Sequence, residues 1–181
     1  MRLKRLREIA GRRWVSVLLH VAALLGAWLA IGAYQTRRHL ASDSAPAPAF
    51  ELKDLDGRRV SLEECRGRRV LVHFFATWCG VCKLELPSLR SLHAGLEGEG
   101  DAVLLAVVED SDDVEAVRRF ASEHELRYPI LLGTAPVIAA YRVGAYPTNY
   151  YLRPDGSISS TSVGLSTKLG MSARLALAGV W

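Results

Sequence analysis

Residues 76–87 read Ala-Thr-Trp-Cys-Gly-Val-Cys-Lys-Leu-Glu-Leu-Pro, and their neighbours on either side decide the fold. Just upstream, residues 70–76 (VLVHFFA) are almost continuously apolar and β-branched or aromatic, the pattern of a strand buried on both faces. Downstream, a helix is expected from about Cys79 to Leu96, with Leu84, Leu89 and Leu92 among its apolar positions. Cys79 and Cys82 therefore fall where a buried strand turns into a helix. At a helix N-terminus the unpaired amides and the macrodipole stabilise a thiolate. Such a thiol can drop from about 8.5 to between roughly 3.5 and 7.5. Cys82, three residues on and on the same helical face, is placed to attack a mixed disulfide and release its substrate. Trp78 covers the pair on one side. The pattern points to dithiol redox chemistry.

Rival uses of a C-x-x-C pair fit less well. A structural zinc site wants four ligands; no second C-x-x-C exists, and only Cys65 and His73 could complete a set. Covalent c-type haem needs His directly after the second cysteine, where this chain has Lys83. A purely structural disulfide closing so short a loop would stabilise little. Redox catalysis needs no cofactor beyond the Cys79–Cys82 disulfide itself.

Working outward, residues 50–55 and 58–62 predict two short strands joined by the turn Asp56-Gly57. Residues 102–108 (AVLLAVV) predict a second buried strand. Residues 112–125 predict an amphipathic helix with Val114, Val117, Phe120 and Ala121 as its stripe. A short strand at 129–132 and a short helix at 136–141 follow. Residues 148–153 and 157–163 form a hairpin around Pro154-Asp155-Gly156, and 166–180 a closing helix. Strands alternating with helices and ending in a hairpin predict an α/β fold with a mixed sheet. Neither a glycine-rich phosphate loop nor a G-x-S-x-G turn occurs, so kinase, nucleotide-binding and esterase chemistries lack their parts.

The charge is unevenly spread. Of 181 residues, 1–38 carry eight Lys/Arg against the single acid Glu8, whereas 39–181 carry fifteen against eighteen acids. With no basic excess in its larger part, the chain is not expected to bind nucleic acid. Residues 14–34 (WVSVLLHVAALLGAWLAIGAY) run without a charge and, as a helix, would span about 31 Å, the thickness of a bilayer core. Six Lys/Arg precede that run and two follow it, predicting a cytoplasmic N-terminus. The expected organisation is a basic tip at 1–13, a single-pass anchor at 14–34, a tether at 35–49 and a domain at 50–181. That puts everything beyond the span outside the cytoplasm. A cleaved signal peptide ending near Ala30-Ile31-Gly32 is the competing expectation.

Ala145-Tyr146-Pro147-Thr148 stands just before the strand TNYYL. Together with strand–Trp-C-x-x-C–helix it resembles the thioredoxin superfamily, whose members set a cis-proline loop beside the dithiol. The resemblance implies that Tyr146 pairs through its backbone with an extended substrate segment and that Pro147 packs against the sulfurs. More narrowly, residues 48–181 resemble the TlpA/ResA branch of thiol-disulfide oxidoreductases. The marks are Trp78-Cys79-x-x-Cys82-x-x-Glu85-x-Pro87 and an extra strand–helix unit between Cys82 and Pro147. This implies a thioredoxin-like fold: a central mixed β-sheet flanked by helices, with an N-terminal β-hairpin and one strand–helix insertion. The resemblance also implies a bacterial inner membrane, with the catalytic domain in the periplasm.

In that branch the residue matched by Glu85 lies near the disulfide and tunes proton transfer; otherwise Glu85 is a solvated helix charge. His73 occupies the place of thioredoxin's buried acid, as a proton relay or as a satisfied core histidine. Gly80-Val81 departs from the usual dipeptide between the cysteines, and Cys65, in a loop-like stretch, matches no functional position. The expected function is exchange of the Cys79–Cys82 dithiol with client protein cysteines as a reductant, serving cytochrome c maturation or copper-site cysteines. A membrane electron donor of the DsbD/CcdA type would restore the dithiol. An oxidant running in reverse and a copper-handling module are the alternatives.

Overall fold

The computed structural model describes residues 45–98 and 100–180, together with His20 and Gly26. Strands β1 (Glu51–Lys53) and β2 (Arg59–Ser61) pair antiparallel around Asp56-Gly57. The Asp54 carboxylate accepts the backbone N–H groups of Asp56 and Arg58 there, and Gly57 takes the positive φ of 80° that the turn requires. A 3-10 turn, Leu62–Cys65, replaces the expected loop. Ser61 caps it by accepting the Glu63 N–H, and it buries Leu62 and Cys65.

The main sheet has five strands in the order β5-β4-β3-β6-β7. Its centre is β3 (Arg69–Phe75), parallel to β4 (Ala102–Val108) and antiparallel to β6 (Thr148–Leu152). β5 (Ile130–Leu132) extends it beyond β4, and β7 (Ile158–Val163) beyond β6. Helices α1 (Gly80–Leu96), α2 (Val114–Glu123), α3 (Ala135–Ala140) and α4 (Lys168–Leu177) complete the described domain. The mixed sheet flanked by helices is the thioredoxin-like α/β architecture expected.

Strand alternation splits the core in two. Leu71 and Phe75 of β3 and Tyr151 of β6 pack on one face with Leu86, Leu89 and Leu92 of α1, Phe120 of α2 and Met171 and Leu175 of α4. Val70, Val72 and Phe74 face the other side with Tyr150, Tyr141, Phe50, Leu52 and Cys65. Cys79 and Cys82 belong to the first layer and Cys65 to the second, so the four residues weighed for zinc do not converge. Leu84 departs from its expected core position. It is 69 % exposed, while the buried stripe of α1 runs through Cys82, Glu85, Leu86, Leu89 and Leu92.

The expected inner-membrane, single-pass placement is corrected. Among the described residues no helix is long and apolar enough to cross a membrane. The longest, α1, has 17 residues and carries Lys83, Glu85, Arg90 and His93; such helices bury one face against the sheet. The run 14–34 lies, apart from His20 and Gly26, outside the described residues, as do the basic tip and most of the tether.

Candidate active site

Helix α1 begins at the dithiol. Cys79 has extended backbone (φ −76°, ψ 109°) and is the N-cap, its Sγ accepting the Cys82 N–H at 3.1 Å. A sulfur thus takes the place usually held by a Ser or Asp oxygen, and negative charge there meets both the donor and the helix dipole. The two sulfurs are joined in a disulfide with Cα atoms 5.2 Å apart. Cys79 keeps 6 % of its surface, whereas Cys82 is sealed.

The Tyr146–Pro147 bond is cis, as the resemblance implies, and the Tyr146 carbonyl oxygen lies 3.6 Å from Cys79 Sγ. Trp78 is 65 % exposed and meets the Tyr146 ring edge-on at 5.9 Å. With Val81 and Leu84, also exposed, it leaves apolar surface around the first turn of α1.

The loop before Trp78 is pinned by Asp110, whose carboxylate accepts the Thr77 N–H at 2.9 Å and the Thr77 hydroxyl. Asp110→Ala leaves both partly buried donors without an acceptor. We expect a loss of about 1–3 kcal/mol in urea unfolding, and a smaller loss for Asp110→Asn, which keeps one acceptor oxygen.

Under the dithiol lies a buried polar cluster. His73 and Asn149 are directly paired across β3 and β6, on the α1 side of the sheet. Glu85 reaches them from α1, one turn beyond Cys82. All three are fully buried, so Glu85 is not a solvated helix charge. His73 Nδ1 is 2.8 Å from Asn149 Oδ1. A carboxamide oxygen only accepts, so Nδ1 bears the hydrogen. Asn149 Nδ2 donates to Glu85 Oε1 at 3.2 Å, and the Ser166 N–H donates to the same oxygen at 2.9 Å. Among the described residues, His73 Nε2 and Glu85 Oε2 have no hydrogen-bond partner.

Burial pushes Glu85 up to about 7, against the hydrogen bonds from Ser166 and Asn149 that favour its charge. Burial likewise pushes His73 down to about 4, against the bond to Asn149. His73 Nδ1 and Glu85 Oε2 are 3.8 Å apart, too far for a hydrogen bond. At neutral pH the pair is a neutral imidazole beside a carboxyl poised to titrate, not an ion pair.

The structure thus gathers Trp78 and Tyr146 at the surface, the nearly buried Cys79 and the buried Pro147 just beneath them, and Cys82, Glu85 and His73 deeper. Asn149 and Ser166 escaped the sequence reading. An asparagine inside the buried strand TNYYL was the available signal, because strands disfavour Asn without a specific partner. Cys65 stays apart, buried on the far face with Arg68 Nη2 3.6 Å from its sulfur.

Comparison with known proteins agrees with this geometry. The AhpC/TSA family profile matches residues 44–161. The thioredoxin-like protein YneN of Bacillus subtilis is 31 % identical over 167 residues, covering 92 % of this chain and 98 % of that protein. The thiol-disulfide oxidoreductase ResA of Bacillus cereus is 31 % identical over 125 residues, covering 67 % of this chain and 70 % of its own. Among solved structures, a thiol:disulfide interchange protein of the thioredoxin family from Chlorobium tepidum superposes with a TM-score of 0.66. Its identity is 25 %, over 75 % of this chain and 97 % of that one.

Proposed function

The chain belongs to the AhpC/TSA family and is a thioredoxin-like thiol-disulfide oxidoreductase; from that premise we propose that it works as a reductant of client disulfides through Cys79 and Cys82. The Cys79 thiolate attacks one sulfur of the client disulfide, and the other leaves as a thiolate that takes up a proton. Cys82 then gives up its proton and attacks Cys79 Sγ, expelling the second client thiolate. The client gains two electrons and two protons, and the Cys79–Cys82 disulfide forms. Glu85, one helical turn from Cys82, receives the proton of the resolving thiol. Trp78, Tyr146 and Pro147 frame the client segment. Clients with paired cysteines, such as haem-attachment or copper-site pairs, fit this chemistry, with a donor of the DsbD/CcdA type restoring the dithiol.

One observation carries the direction: a fully buried carboxyl beside a sealed Cys82. Strong oxidants owe their potential to a stabilised reduced form with a low-pKa thiolate. Here burial and an ionised Glu85 oppose a neighbouring thiolate, which destabilises the reduced form and makes the couple more reducing. The N-cap position of Cys79 works the other way, but it touches one sulfur only. Equilibration with glutathione tests the balance. A potential at or below about −230 mV is expected, and one near about −120 mV would make the protein an oxidant.

A further inference from the structure

Glu85 has two oxygens in different situations. Oε1 accepts two hydrogen bonds, from Asn149 Nδ2 and the Ser166 N–H, while Oε2 accepts none among the described residues. The Ser166 donor is backbone, held in the loop that leads into α4. The Asn149 donor is a side chain whose other end is occupied by His73. One carboxamide therefore bridges the two buried titratable groups: its oxygen fixes the imidazole hydrogen on Nδ1, and its nitrogen holds the carboxylate.

We infer that Asn149 is a positioning residue of the exchange reaction, pinning Glu85 through Oε1 so that Oε2 is the oxygen that takes and releases the proton. This rests on the proposed part of Glu85 in resolution by Cys82. With Oε1 satisfied twice, a proton on Oε1 would displace a bond, whereas one on Oε2 displaces nothing. The Asn149 donor also favours the ionised carboxylate, offsetting part of its burial. Without it Glu85 would hold its proton to higher pH and serve less well as an acceptor near neutrality. The other groups facing Glu85 are His73 from β3, Tyr151 from β6 with Arg174 over its ring, Tyr128 with Arg90 behind it, and Cys82 on its own helix. Burial holds both tyrosines protonated above the range in which Glu85 titrates, so they add no charge to the balance.

The test uses the full-length chain with 13C-labelled glutamate carboxyls, Glu85→Gln identifying the resonance. Asn149→Ala removes the side-chain donor and leaves the Ser166 N–H in place. The Glu85 midpoint should rise by about one pH unit, the size expected for losing one hydrogen bond to a charged group. The rate of disulfide exchange against pH should move with it. Asn149→Asp keeps the size and the acceptor for His73 but replaces the donor with an acceptor, so it should raise the midpoint at least as far. A merely structural asparagine would instead lower stability and leave the Glu85 midpoint where it was, which would overturn the inference. If the midpoint moves but the exchange profile does not, the positioning of Glu85 stands and its part in resolution falls. Independently of any variant that fails to fold, imidazole 15N shifts of the wild-type chain should show His73 as the Nδ1–H tautomer. The Nε2–H tautomer would remove the bridge and the inference with it.

Discussion

Cys79→Ser is expected to lower disulfide exchange by at least about three orders of magnitude, while Cys82→Ser keeps the first attack and stalls. The asymmetry follows from position. Cys79 alone retains exposed surface, and its sulfur alone receives the Cys82 N–H at the first turn of α1. A thiolate there is stabilised before any client arrives. Cys82 is sealed beneath and reaches only Cys79 Sγ, once that sulfur is bonded to the client. Cys82→Ser should therefore accumulate mixed disulfides with a client, visible on non-reducing gels and by mass. Cys79→Ser should trap almost none, and its remaining thiol should alkylate slowly in the folded chain. Equal trapping by the two variants would reverse or abolish the assigned order.

Why the dithiol was legible, and Glu85 and His73 were singled out, while the cluster that joins them through Asn149 and Ser166 was not, is a matter of range. Strand, turn and helix around Cys79 are local patterns: a continuous apolar run for β3, a 3.6-residue stripe for α1, Asp-Gly and Pro-Asp-Gly at the hairpins. Each survives reading the chain one segment at a time. The polar cluster is a tertiary object. His73 and Asn149 meet only because β3 and β6 pair antiparallel in one register, 76 residues apart, and Ser166 arrives from a loop 81 residues beyond Glu85. Leu84 shows the converse failure. Its hydrophobicity suggested core, but the face of α1 that meets the sheet is set by Cys82 and Glu85 at the helix start, which leaves Leu84 in solvent. Glu85 was decided the same way: a charge on a helix looks solvated until the helix is docked.

The second large effect is on stability against pH, and the cluster fixes its sign on both sides. Glu85 titrates at 4.5 when unfolded and at about 7 when folded, so the folded chain holds the extra proton between those values. Stability from this group is complete below pH 4.5 and is lost as pH rises through about 7. At 1.36 kcal/mol per pH unit the loss approaches about 3 kcal/mol in mildly alkaline solution. His73 runs the opposite way, at 6.5 unfolded and about 4 folded, so its contribution is complete above pH 6.5 and is lost as pH falls through about 4. Between about pH 4.5 and 6.5 the two slopes oppose each other and nearly cancel. The wild-type sum there exceeds its value on either side by less than about 1 kcal/mol, and each limb shows only when its group is replaced. Glu85→Gln isolates the alkaline limb. Its amide oxygen can still accept from Ser166 and Asn149, and its nitrogen takes the place of the unpartnered Oε2. The variant should match the wild type near pH 5 and exceed it by about 2–3 kcal/mol at pH 8.5, read as urea midpoints across the range. The same substitution removes the negative charge beside Cys82, so the pH profile of exchange should move to lower pH. Parallel stability curves for the two proteins would mean that Glu85 is ionised at little cost in the folded chain, and the carboxyl would then lose the proton it is assigned to carry.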